Sequence, residues 1–97
     1  MKLKPGFEEE YKRRHDRLWP ELTGLLKDSG VSEYSIFLDG DTHTLFAFQK
    51  INGLHGSQDL GRHEIVKKWW AYMADIMDTH ADNSPVTVSL TGVFHMD

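Results

Sequence analysis

"EYSIFLDGDTHTLFAFQKI", residues 33–51, is two apolar runs joined by turn chemistry. In the first run Tyr34, Ile36 and Leu38 fall on one face while Ser35 and Phe37 fall on the other, the period of two that a pleated strand imposes. "DGDTHT" (39–44) reverses the chain, and "LFAFQKI" (45–51) reads as a returning strand, so the segment is predicted as a β-hairpin.

Upstream, residues 6–28 follow a helical period, with Phe7, Tyr11, His15, Leu18, Leu22, Leu25 and Leu26 on one stripe. Pro20 cannot donate to the carbonyl of Asp16 and disfavours helical geometry at Trp19, which predicts a kink or a restart. "DSG" (28–30) ends the helix, with Gly30 as a left-handed cap. Within "EEEYKRRH" (8–15), Glu8, Glu9 and Glu10 stand four residues before Lys12, Arg13 and Arg14, each carboxylate facing a cation one turn on. Downstream, "NGLHGSQDLG" (52–61) is a loop and "HEIVKKWWAYMADIM" (63–77) a second helix, with Val66, Trp69, Met73 and Ile76 on its inner side. "THADNSP" (79–85) is a further loop, and "VTVSLTGVFHM" (86–96) is a β-rich run.

With "MKLKP" as the stub of a first strand, the order becomes β-α-β-β-α-β. That is an α+β, ferredoxin-like split βαβ arrangement, the dimeric α+β barrel, with an antiparallel sheet and two helices in one domain spanning residues 1–97. The first strand is shortened, because Pro5 ends it and strands run ~5–6 residues. We expect the natural chain to start upstream, or a partner to cover the gap.

The 97 residues allow one modest core, which a small domain often supplements by pairing with a second copy. The formal charge is −4, from 11 Lys and Arg against 15 Asp and Glu, with no basic stripe beyond the paired run at 8–15, so nucleic acid and anionic membranes are poor partners. The chain has no cysteine, hence no disulfide framework, thiolate metal site or cysteine nucleophile. No apolar run approaches ~18 residues, so a cytoplasmic protein is expected.

No phosphate loop, nucleophile elbow or histidine pair at ligand spacing occurs, and neither a metal nor any other cofactor is expected. The six histidines are scattered. His15 differs from the rest because the pattern assigns it to the inner face. It reads either as a core histidine bonded to a strand carbonyl or as a general acid or base at the floor of a pocket, titrating near ~6.5. Tyr11 points into the same space one turn earlier, and Tyr34 joins them if its strand face looks toward the helix. Both phenols need hydrogen-bond partners when buried. Trp69 and Trp70 are adjacent on a helix and point about 100° apart, so one packs inside while the other lines an edge or rim. Apolar rings with phenol hydroxyls suit a neutral, polyhydroxylated ligand. Trp19 is expected in packing or at a dimer contact.

"EEYKRRHDRLWPEL", "YSIFLD", "VKKWWAYMADIM" and "DNSPV" resemble the L-rhamnose mutarotase family in composition and order, over almost the whole chain. The resemblance implies a homodimeric ferredoxin-like fold and cofactor-free interconversion of α- and β-L-rhamnose. It places a proton donor on His15 and sugar contacts on Tyr11, Tyr34, Trp69 and Trp70. The sequence departs from the family pattern in its clipped first strand and in His80-Ala81-Asp82, where Asn-Pro-Asp is usual. Two rivals stand beside this reading: a sugar-binding or dimerisation module without turnover, and a cofactor-free or haem-handling oxygenase of the same fold.

Overall fold

The computed structural model describes residues 1–53 and 60–97; the predicted loop 52–61 lies largely outside them. The elements run α1 (Glu8–Asp16), α2 (Pro20–Asp28), β1 (Val31–Asp39), β2 (Thr44–Ile51) and α3 (Glu64–Met73). The predicted first helix breaks where Pro20 requires. Trp19 adopts φ −57° and ψ 131°, the extended geometry forced on a residue before proline, and Pro20 opens α2 at its first turn. The two expected helices are therefore three. Acidic residues fill the first turn of α1 and basic residues its last, matching the helix dipole.

β1 and β2 pair antiparallel, with Leu38 opposite Leu45, Phe37 opposite Phe46 and Ser35 opposite Phe48. The register slips between Ser32 and Ser35, where β1 takes three steps against two on β2. The extra residue bulges at Glu33, whose φ is +48°. The bulge lets Val31, an odd position, share the inner face with Tyr34 and Ile36, even positions, and Val31 is buried. At the foot of the hairpin Asn52 N–H donates to the Gly30 carbonyl at 2.8 Å. Gly30 has φ +89°, and a Cβ there would stand 2.6 Å from the Asn52 carbonyl oxygen, so both conformation and space call for glycine.

The remaining strands are present as single bridges. Lys2 bridges Thr44 and Leu3 bridges Met77, both antiparallel. The Leu3 amide donates to the His43 carbonyl, the Leu45 amide to Met1, the Lys4 amide to Ile76 and the Asp78 amide to Lys2, all at 2.8–2.9 Å. Residues 1–4 thus lie between β2 and residues 76–78, the strand order of the split βαβ arrangement, with its central strand cut short by Pro5. The last strand begins at Met77, so the helix predicted over 63–77 stops at Met73. The run 86–96, expected as the final strand, pairs with nothing described beyond the Val86 amide on the Asp78 carbonyl. The physical reason is that the place beside the first strand is already taken by residues 76–78.

The core lies between the helices and the inner face of the sheet, built on Leu3, Leu22, Leu45, Val66, Trp69, Met73, Ile76 and Met77. Ile76, fully buried, closes it where α3 gives way to the last strand. Truncating that side chain removes apolar burial and leaves a void the rigid junction cannot fill. Ile76→Ala is expected to lose about 2–5 kcal/mol and Ile76→Val about 0.5–1.5 kcal/mol, read from urea midpoints at fixed protein concentration.

Candidate active site

Tyr11 and His15 face inward from α1 because they stand four apart on its apolar stripe, and Trp69 meets them from the facing side of α3. The Tyr11 and His15 rings stack with centroids 4.2 Å apart and planes 26° apart. The edge of the pair meets Trp69 at 5.4 Å and 88° from His15. Trp69 also packs edge-on against Trp19 at 5.1 Å, and Trp19 stacks on Tyr72 at 5.6 Å. His15 is therefore flanked by the rings of Tyr11 and Trp69.

Beside these rings lies a cavity of about 730 Å³. Its lining includes all five residues expected at the site: Tyr11, His15, Tyr34, Trp69 and Trp70. Such a volume falls in the range of small-molecule sites, roughly 300–1,000 Å³. Leu18, Leu22, Ile36 and Leu45 supply apolar wall, and Glu8, Asp16, Glu33, Lys12 and Lys27 also lie along the lining. Trp69 is buried and Trp70 half-buried, the division of labour that adjacent helical positions impose. Gly61 lies against the Trp70 rim, and a Cβ there would stand 2.5 Å from the ring's Cη2.

The electrostatics distinguish the two nitrogens of His15. Nδ1 lies 3.0 Å from the Tyr11 carbonyl oxygen. A carbonyl only accepts, so Nδ1 carries the hydrogen and donates, and the neutral ring keeps its free lone pair on Nε2. Burial pushes the His15 pKa below its usual 6.5, with the Tyr11 carbonyl opposing in part. Burial, with the nearby Tyr34 phenol, pushes the Tyr11 pKa up, so that this hydroxyl stays protonated. Tyr11 and Tyr34 both line the cavity.

Of the helix-surface pairs expected in α1, Glu10 and Arg14 meet at 2.8 Å, while Glu10 also takes Arg13 at 2.6 Å. Lys12 turns the other way, to Asp16 at 2.6 Å. Glu8 pairs with His43 at 3.3 Å, across to the hairpin turn. Two features escaped the reading of the sequence. Arg14 is buried rather than a surface partner, and Tyr72 joins the aromatic seam. The signal for both was spacing: Arg14 follows Tyr11 by three, and Tyr72 follows Trp69 by three. Among the described residues no group of three or more His, Asp or Glu could hold a metal ion, and no helix is long and apolar enough to cross a membrane. His55 lies outside the described residues.

Known proteins are similar to the chain in sequence and in shape. The family model for L-rhamnose mutarotase (rhaM) matches residues 1–96. The L-rhamnose mutarotases of Formosa agariphila and Bacteroides thetaiotaomicron are 64% and 62% identical to the chain over 97 residues, covering all of it and 93% of each relative. A crystal structure of L-rhamnose mutarotase from Formosa agariphila superposes with a TM-score of 0.90 at 59% identity, covering 100% of this chain and 93% of that one. A match from end to end, in sequence and in three dimensions, leaves one assignment: the chain belongs to the L-rhamnose mutarotase family.

Proposed function

We propose that residues 1–97 form one catalytic domain that interconverts the α and β anomers of L-rhamnose, with His15 moving the proton and no cofactor taking part. The observation that carries this reading is an imidazole in a ring-lined cavity with Nδ1 tied to a carbonyl, so that Nε2 alone is free for chemistry.

Ring opening of a pyranose moves one proton from the anomeric hydroxyl to the ring oxygen as the bond between C1 and the ring oxygen breaks. Both oxygens are bonded to C1, so one nitrogen can serve them in turn. Neutral His15 takes the hydroxyl proton on Nε2, and the imidazolium so formed gives it to the departing ring oxygen. The aldehyde turns about the C1–C2 bond, and the same two transfers in reverse close the ring on the other face. The lowered His15 pKa means that the enzyme begins the cycle at neutral pH with the base form, and the donor role follows from it. Tyr11, held protonated by burial, and Tyr34 offer hydroxyls to orient the sugar. Trp70 offers its face to the apolar side of the ring, with Trp69 as its buried support.

A second copy of the chain completes the proposal. Phe37, Phe46 and Phe48 stand on the outer face of the hairpin and are 60%, 36% and 54% exposed. The run from Val86 to Leu90 alternates apolar and polar residues as a strand does, yet Val88 and Leu90 are 79% and 67% exposed. A strand pattern left unpaired, in a chain that also exposes an apolar sheet face, fits addition to a partner sheet. The cytoplasmic location expected from the sequence belongs to the same reading and is tested by cell fractionation.

Saturation-transfer NMR on L-rhamnose should show accelerated anomer exchange, reduced about 10²- to 10⁴-fold in folded His15→Ala. Exchange at the wild-type rate in that variant would remove His15 from the chemistry, and sugar binding without accelerated exchange would make the chain a binding module. Because the base form of His15 is the active one, kcat/KM should rise with pH along a limb whose midpoint lies below about 6.5. The same shift makes the native fold lose stability as pH falls through that range, since the unfolded chain binds the proton more readily.

Gly61→Ala drives the Trp70 ring from its seat, and is expected to raise KM while leaving kcat close to wild type, as loss of uniform binding does. Light scattering after size exclusion should give twice the chain mass for the wild type and a single chain mass for Phe48→Glu. A wild-type monomer at micromolar concentration would refute the pairing.

A further inference from the structure

Arg14 is the one buried charged residue among those described, and the mechanism above does not use it. Its Nε donates to Glu10 Oε2 at 2.8 Å, within α1. Its Nη1 donates to the Tyr72 carbonyl at 2.7 Å and to Asp75 Oδ1 at 2.8 Å, Nη2 reaches Asp75 Oδ2 at 3.2 Å, and the Met73 sulfur lies 4.0 Å from Nη1. The guanidinium carbon stands 4.4 Å from the centre of the Tyr72 ring.

These contacts sit at one place, the C-terminal end of α3. The last carbonyls of a helix lack partners within it, and the negative end of its dipole favours a cation there. α3 has no basic residue in its own last turn. Arg14 of α1 supplies that cation from outside. The next residue along α1 is His15, and one turn back along α3 from Tyr72 stands Trp69. Arg14 on Tyr72 and His15 on Trp69 are thus two rungs between the same pair of helices.

We propose that Arg14 is a positioning residue for His15: its planar fork, closed on the Tyr72 carbonyl and both oxygens of Asp75, fixes the rotation and slide of α1 on α3, and so where Nε2 faces in the cavity. An apolar side chain could fasten two helices, but it would not specify one rotation about the helix axis. A fork with fixed acceptors does so, and lysine cannot reproduce it because its ammonium is a point charge. The functional importance of this placement rests on the reading of His15 as the proton-moving group.

The test pairs kinetics with the His15 imidazole signal in NMR. Arg14→Lys keeps the charge and loses the fork. It is expected to lower kcat about 10- to 100-fold, the scale of an ångström's misplacement, and to move the His15 titration midpoint away from the wild-type value. Loss of thermal stability alone, with kcat and the His15 titration unchanged, would overturn the proposal. If Arg14→Lys fails to fold, Asp75→Asn serves instead, since that side chain is 65% exposed and its replacement breaks the fork from the solvent side. The same combination of reduced kcat and displaced titration supports positioning, and wild-type values in both refute it. Wild-type exchange in His15→Ala would instead refute the catalytic reading, while the His15 titration in the Arg14 and Asp75 variants would still decide whether the fork sets the ring's place.

Discussion

A helix of nine residues with no capping side chain has little stability of its own, because nucleation fixes several dihedral angles before hydrogen bonds repay them. α1 is such a helix, and it persists because one of its faces is withdrawn from water against α3. Tyr11 and Arg14 are the buried members of that face, and His15 stands one turn beyond Tyr11 on its other side. Packing that holds the helix therefore also defines one wall of the cavity. Structure and site depend on the same few contacts, and a change to the seam reaches both.

Desolvation does the chemical tuning. The rings around His15 exclude water, and a charged imidazole is less favourable there than in solvent, which keeps the ring neutral at physiological pH. Those rings also give the cavity an aromatic wall, and the charged residues along its lining, Glu8, Asp16 and Glu33 against Lys12 and Lys27, are of mixed sign. The carboxylates of Glu8 and Asp16 have partners in His43 and Lys12, so these two charges are met within the protein.

The hairpin, the break at Pro20, the cap at Gly30 and the inward line from Tyr11 to Leu22 were all legible in the sequence, because each rests on local stereochemistry or on a period within one element. The division between Trp69 and Trp70 was legible for the same reason. The place of the last strand was not. "VTVSL" has the stronger strand pattern, yet Ile76 to Asp78 takes the position beside Leu3, because chain connectivity from the end of α3 delivers those residues to the vacant edge first. Arg14 was read as one of three equivalent cations, since nothing local to α1 reveals that the end of α3 lies opposite it. The tautomer of His15 was likewise hidden. It depends on whether the ring turns toward its own helix carbonyl or away, which only three-dimensional packing decides.

One extra residue in β1 has a consequence for how this fold tolerates change. Side chains on either side of Glu33 agree in direction only because the strand is out of step with its partner there. A single-codon deletion at that point would restore even pairing and reverse the facing of one flank: either Val31 turns out of the core or the Tyr34 phenol turns out of the cavity. Length at this position is therefore a tighter constraint than composition, and relatives that keep both the core valine and the inward phenol are expected to share the odd residue even where its chemistry varies.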